Sequence, residues 1–210
     1  MIDGLRQLGL VARRVEPREV DGEPANVVML EQTYPTSIDD LWDVLTNPER
    51  IPRWFLPISG DLQVGGRYQI EGNAGGTITA CDAPYRFDAT WEFGDGVSWI
   101  EVRLREVSAE ATHLTLAHIA RPDAHWQQFG PGAVGIGWDG ALLGLALHIE
   151  TGVNAPAEAA DWMTSPDGIA FYRTSGEKWI EADIASGTSP ETAQTRGQTT
   201  MGFYSGSSAE

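Results

Sequence analysis

Residues 131–151, PGAVGIGWDGALLGLALHIET, constrain this chain more than any other stretch. Past Pro131 there is no proline, and the spacing predicts one long helix. At about 100° per residue, Val134, Trp138, Leu142, Leu145 and Ile149 form a stripe, with Leu143 and Leu147 on roughly the opposite side. A helix that is apolar on most sides has to be covered on most sides. A row of mostly small residues, Gly137, Ala141, Gly144 and His148, runs beside the stripe. Each internal glycine costs about 1 kcal/mol of helix propensity against alanine, so Gly137, Gly140 and Gly144 predict close approach of another backbone. The expectation is a sheet on one face of this helix and later helices on another.

Upstream, alternation of apolar and polar residues marks strands. Tyr85–Phe93 puts Phe87, Ala89, Trp91 and Phe93 on one face and Arg86, Asp88, Thr90 and Glu92 on the other. Trp99–Val107 turns Ile100, Val102 and Leu104 inward, and Thr112–Ala120 does the same with Leu114, Leu116 and His118. Asn26–Tyr34, Thr77–Cys81 and a hairpin over Asp61–Glu71 with its turn at Gly65-Gly66 read as further strands, and Gly75-Gly76 as a turn. Leu5–Val15 reads as a first strand, joined to Asn26–Tyr34 by a turn over Glu16–Ala25. Ser37 is a good N-cap for a helix over Ile38–Thr46, where Asp39 and Asp40 suit the helix dipole. A short helix reads over Glu49–Phe55, and Arg121–Gly130 reads as a loop. Strand, helices, antiparallel strands and a long helix, in that order, predict an α+β fold in which a curved antiparallel sheet wraps around the long helix.

The tail changes character. Asn154–Ala160 reads as a linker. Ser165-Pro166 starts a helix that ends at Gly187, and Thr188 with Glu191 has the spacing of a capping box for a second helix running to about Phe203. The terminal SGSSAE reads as a frayed end. Two amphipathic helices are unstable alone in water. They are expected to dock on the glycine row, on the Leu143/Leu147 face, or on a second subunit. The chain therefore divides into a domain over 1–152 and a helical extension over 153–210.

Formal net charge is −16, which argues against nucleic acid or an anionic membrane as a partner. Cys81 is the lone cysteine, so no disulfide forms within the chain, as suits a reducing cytoplasm. The N-terminus lacks a basic-then-apolar leader, and the apolar run near Ala141–Ile149 is too short and glycine-broken to span a bilayer. A soluble, cytoplasmic protein is expected. No metal or other cofactor is expected: the histidines lack ligand spacing, and Cys81 beside Asp82 is poorly placed for a thiolate.

Several short motifs recur in order: Leu41-Trp42 with Leu45-Thr46 and Pro48-Glu49, Arg53-Trp54-Phe55, Val64-Gly65-Gly66-Arg67-Tyr68, Thr90-Trp91-Glu92-Phe93, Leu114-Thr115-Leu116 with His118, Phe129-Gly130-Pro131-Gly132 and Gly137-Trp138. With these the chain, over about residues 25–152, resembles the SRPBCC superfamily, the START-like helix-grip group. Within that group it is similar to the bacterial relatives of the activator of heat-shock-protein-ninety ATPase. The resemblance implies a deep apolar cavity between sheet and long helix and no shared catalytic motif, so fold alone is a weak guide to activity. The expected ligand-binding residues are Phe87, Trp91, Val102, Leu104, Leu116, His118, Trp138, Leu142 and Leu145. They would bind a small hydrophobic or aromatic molecule. No catalytic set is assigned. Two alternatives stay open: a cyclase- or hydrolase-type enzyme with His118 as acid or base, and a co-chaperone-like stress-response module with a chaperone partner. A homodimer is also open.

Overall fold

The alternating strands and the long helix both form in the computed structural model, which describes residues 3–154 and 161–204. In chain order the elements are α1 (Gly4–Leu10), β1 (Ala12–Val20), β2 (Glu23–Tyr34), α2 (Ile38–Thr46), a 3-10 turn (Ile51–Arg53), β3 (Ile58–Gly60), β4 (Arg67–Ile70), β5 (Gly75–Asp82), β6 (Arg86–Phe93), β7 (Gly96–Ser108), β8 (Ala111–Ala120), α3 (Ala124–Phe129), α4 (Gly132–Thr151), α5 (Pro166–Ala185) and α6 (Pro190–Tyr204). The strands form one eight-stranded sheet in the order β1-β2-β8-β7-β6-β5-β4-β3. This is the α+β, antiparallel architecture of the helix-grip fold. The linker expected at Asn154–Ala160, apart from Asn154, and the tail SGSSAE lie outside the described residues.

Five local expectations are corrected. Leu5–Leu10 is helical, because the Asp3 side chain accepts the Arg6 amide at 3.0 Å and caps α1. Of the turn expected over Glu16–Ala25, Asp21-Gly22 alone is a turn, with both residues at positive φ. β1 continues through Pro17, which an edge strand tolerates. The hairpin lies earlier than expected, with Ile58–Gly60 pairing Arg67–Ile70 and Asp61–Gly66 connecting them. Gly75-Gly76 opens β5 and is not a turn. A Cβ at Gly76 would sit 2.0 Å from the Thr90 carbonyl oxygen, so glycine there serves close strand approach. The loop expected over Arg121–Gly130 holds α3, capped by Asp123 at 2.8 Å from the Trp126 amide. A smaller change concerns α6: its N-cap is Ser189, whose Oγ accepts the Thr192 amide at 3.2 Å, while the Thr188 hydroxyl donates to Asp183 Oδ1 at 2.7 Å.

The chain forms two compact units. The first comprises Met1–Leu30, Ala120–Leu143 and Ala159–Glu210. Here α5 packs against α1, β1 and α6. Close approach to α4 is made by aromatic side chains and centres on a glycine outside the expected row. A Cβ at Gly135 would lie 2.3 Å from Trp179 Cε2, so the indole rests on the bare helix backbone. The Tyr204 and Tyr172 hydroxyls approach more loosely: a Cβ at Gly137 would lie 3.2 Å from the first, and one at Gly140 3.8 Å from the second. Next to Gly135 and Trp179 lies a buried polar cluster. Asp139 accepts from Arg13 Nη2 at 2.6 Å and Nε at 3.1 Å, from Ser175 Oγ at 2.6 Å and from Trp179 Nε1 at 3.0 Å. Arg13 Nη1 donates in turn to the Leu8 and Val11 carbonyls. The side chains of Arg13 and Asp139 are 5% and 0% exposed, so the charges are compensated by each other and by hydrogen bonds instead of by water.

Helix α4 forms over Gly132–Thr151, as its sequence pattern predicts. Its 20 residues are long and apolar enough to cross a membrane by length and composition, yet 61% of that window is buried inside the protein. Those are the features of a core helix.

The second unit comprises Glu31–Ile119 and Gly144–Glu158, so it holds β3 to β8, α2 and the last turns of α4. Ser37 caps α2 as expected. Ile38, Leu41 and Val44 are buried along it, and the Trp42 ring meets the Phe87 ring edge-on at 6.1 Å. Arg50 ties the acidic face of α2 down, donating to Asp40 at 2.7 Å and Asp43 at 2.9 Å. Against desolvation, the Thr36 hydroxyl and Arg50 hold the Asp40 carboxyl below its usual range, and Arg50 with Asn47 does the same at Asp43.

Candidate functional site

Antiparallel register decides which residues of the second unit share a face, since directly paired residues point to the same side. Phe87 pairs with Val102, and Val102 with Leu116. Ala89 pairs with Ile100, and Ile100 with His118. Trp91 pairs with Ser98, and Leu104 with Leu114. Phe87, Trp91, Val102, Leu104, Leu116 and His118 therefore stand on one face of β6–β8. Leu145, in the same unit on the last turns of α4, is fully buried. Trp138 and Leu142 belong to the first unit. Trp138 is half-buried there, and Leu142 is buried with its carbonyl accepting from Gln7 Nε2 at 3.4 Å.

Burial along this face is uneven. Ala89, Ile100, Val102, Leu104, Leu114, Leu116 and His118 are buried, whereas Phe87, Trp91 and Ser98 are half-buried. Phe93 shares their strand parity but sits at the hairpin end and is 65% exposed, so it leaves the inward set. Phe87 and Trp91 thus keep accessible surface on a face where their neighbours Ala89, Ile100 and Val102 are buried. The opposite face of the same strands carries the charges: Arg103 pairs with Asp88 and with Glu101. On the inward face, Glu106 at the far end of the row is exposed, and the positions between it and Trp91 hold no Asp, Glu, Lys or Arg.

The polar focus of the face is His118, 2% exposed. Its Nε2 lies 2.9 Å from Ser98 Oγ, and Ser98 Oγ donates to the Trp91 carbonyl oxygen at 3.1 Å. A carbonyl can only accept, so the single Ser98 hydrogen is spent on it and Nε2–H is the donor to Ser98. Trp91 meets the imidazole edge-on at 6.0 Å between centroids. Burial pushes the His118 imidazole down to about 4, which keeps it neutral near pH 7. His113, on the other parity, bonds Thr33 Oγ1 at 3.1 Å and shares nothing with His118. At the sheet's other end, the Tyr68 hydroxyl donates to the Thr90 carbonyl at 2.7 Å, and burial pushes it above the ordinary range.

Sequence reasoning missed Ser98, and a signal for it existed. Counting back by two from Leu104, Val102 and Ile100 lands on Ser98, an inward-facing hydroxyl at the start of the strand. Trp126 and Phe129 belong to the first unit, where Phe129 packs edge-on against Phe203 at 6.3 Å. Trp54 stays in the second unit, donating to the Val44 carbonyl at 2.9 Å and stacking on Phe55.

Comparison with known proteins places the chain in a wider group. Residues 35–150 match the family described as Activator of Hsp90 ATPase homolog 1-like protein. No curated protein matches the chain. CalU16 from Micromonospora echinospora is similar in its crystal structure at 29% identity and a TM-score of 0.67, covering 82% of this chain and 97% of its own. Its solution structure gives 29%, 0.71, 84% and 96%. PFC0360w, an HSP90 activator from Plasmodium falciparum, matches at 20% identity and 0.52, over 60% of this chain and 96% of its own. EF2215 from Enterococcus faecalis matches at 16% and 0.60, over 87% and 99%. The last two likenesses are of fold.

Proposed function

From the premise that the chain belongs to the Activator of Hsp90 ATPase homolog 1-like family, we propose that it holds a small apolar or aromatic molecule against the inward face of β6–β8. Phe87, Trp91, Val102, Leu104 and Leu116, with Leu145 from the same unit, supply the apolar lining, and His118 supplies the polar contact. The observation that carries this reading is the half-burial of Phe87 and Trp91 beside Ala89, Ile100, Val102, Leu104, Leu114, Leu116 and His118, which are buried on the same face. Covering such rings by a ligand removes apolar surface from water at about 25 cal/mol per Å².

Binding fits the chemistry of the face better than hydrolysis does. A serine nucleophile needs its hydroxyl hydrogen directed at the histidine, and Ser98 gives that hydrogen to the Trp91 carbonyl. A chaperone-activating role has less support, since the likeness to PFC0360w is one of fold. The test is a thermal-shift screen of the full chain against lipids and aromatic polyketides, repeated on Trp91→Ala. A binder raises the Tm of the parent protein by an amount that grows with its concentration and loses affinity in the variant. If the screen finds no binder, or Trp91→Ala binds as well as the parent, the reading is wrong.

A further inference from the structure

Resting on that reading, we infer that the bound molecule is a hydroxylated aromatic, uncharged where it meets the sheet, whose hydroxyl donates to Ser98 Oγ. A serine hydroxyl has one hydrogen and two acceptor lone pairs. In this structure the hydrogen goes to the Trp91 carbonyl and one lone pair receives His118 Nε2–H. One acceptor position on Ser98 remains, and the residue is half-buried, so a ligand beside Trp91 can reach it. The group that fills an acceptor is a donor, and a phenolic or alcoholic O–H supplies it.

The same face selects against charge. The inward positions from Trp91 to Leu104 offer no carboxylate, ammonium or guanidinium. On α2, whose Trp42 meets Phe87, the carboxylates Asp40 and Asp43 are engaged by Arg50. Arg103 is committed to Asp88 and Glu101 on the opposite face. A ligand carboxylate or ammonium against these positions would find no counter-ion among them, and burying it there costs far more than burying a hydrogen-bonded hydroxyl. Trp91 is half-buried and edge-on to the imidazole, which places an aromatic surface next to that hydroxyl.

The experiment compares three probes of one shape on the full chain by calorimetric titration at pH 7: 2-naphthol, 2-methoxynaphthalene and 2-naphthoate. The expected order is 2-naphthol about tenfold tighter than its methyl ether, the worth of one hydrogen bond, with 2-naphthoate at least about a hundredfold weaker than 2-naphthol. Ser98→Ala should erase the difference between 2-naphthol and the ether. Equal binding of 2-naphthol and its ether, tight binding of 2-naphthoate, or a preference that survives in Ser98→Ala overturns this inference and leaves the ligand-holding reading standing. Failure of all three probes, in a parent protein that is folded by circular dichroism, overturns both. The comparison among probes on the parent protein needs no variant, so it stands even where Ser98→Ala does not fold.

Discussion

In the first unit a carboxylate is buried and saturated, with Arg13, Ser175 and Trp179 all donating to Asp139. In the second unit a neutral imidazole is buried beside a serine that keeps one acceptor position and some exposure. The contrast separates two uses of buried polarity. A buried charge is tolerable once every oxygen and N–H around it is engaged, and such a cluster then holds one arrangement and has nothing left to offer a ligand. A buried neutral group costs far less to keep, so it can sit at the edge of an apolar face and still receive a partner.

The sharpest way to break this comparison is Asp139→Ala. It strands the Arg13 guanidinium in a dry site, and the expected loss is about 3–5 kcal/mol on chemical denaturation. A loss near zero would mean the cluster is not what holds the first unit. Next comes Gly135→Ala. The added methyl meets the Trp179 indole, itself 1% exposed and unable to swing away. Overpacking of this kind costs about 1–3 kcal/mol, readable as a lower urea midpoint.

The third test moves to the second unit and uses pH. The His118 imidazole is depressed from 6.5 to about 4 in the folded protein. Below 6.5 the unfolded chain takes up a proton that the folded chain refuses, so stability falls as pH falls through the window from 6.5 to 4. Between pH 7 and pH 5 the loss from this group is about 2 kcal/mol. Denaturation curves at the two pH values should converge in His118→Gln. An unchanged pH slope in that variant would show that the imidazole is not the group responsible. Smallest is Ser189→Ala at the start of α6, expected to cost about 1 kcal/mol. Thr188→Ala at the neighbouring position removes a bond to Asp183 and leaves the cap in place, which sharpens the assignment of Ser189 as the N-cap.

How far the sequence reaches depends on whether its signals are local. Strands β6, β7 and β8 alternate cleanly, and α4 carries a long apolar period, so both were legible along with the inward parity of His118. Helix α1 was not: seven residues give too little periodicity to outweigh an apolar run that also suits a strand, and the deciding Asp3 cap is one side chain. Propensity marks every glycine alike, so the sequence pointed to Gly137, which the Tyr204 hydroxyl approaches, and not to Gly135, where the Trp179 indole lies tighter. Asp139 was a visible oddity, a carboxylate inside an apolar helix. Its partner Arg13 lies 126 residues upstream, and no periodicity links positions that far apart.

The Asp139 cluster also bears on how this gene can be shortened. Cutting the chain back to residues 35–150, the family-matched segment, deletes Arg13, Ser175 and Trp179 together and so takes away all four donors to that carboxylate. A trimmed protein inherits an anionic group designed for a dry setting, next to a bare helix surface at Gly135 where an indole used to lie. Its poor behaviour in solution would then report on the missing flanks, β1 and β2 of the sheet among them.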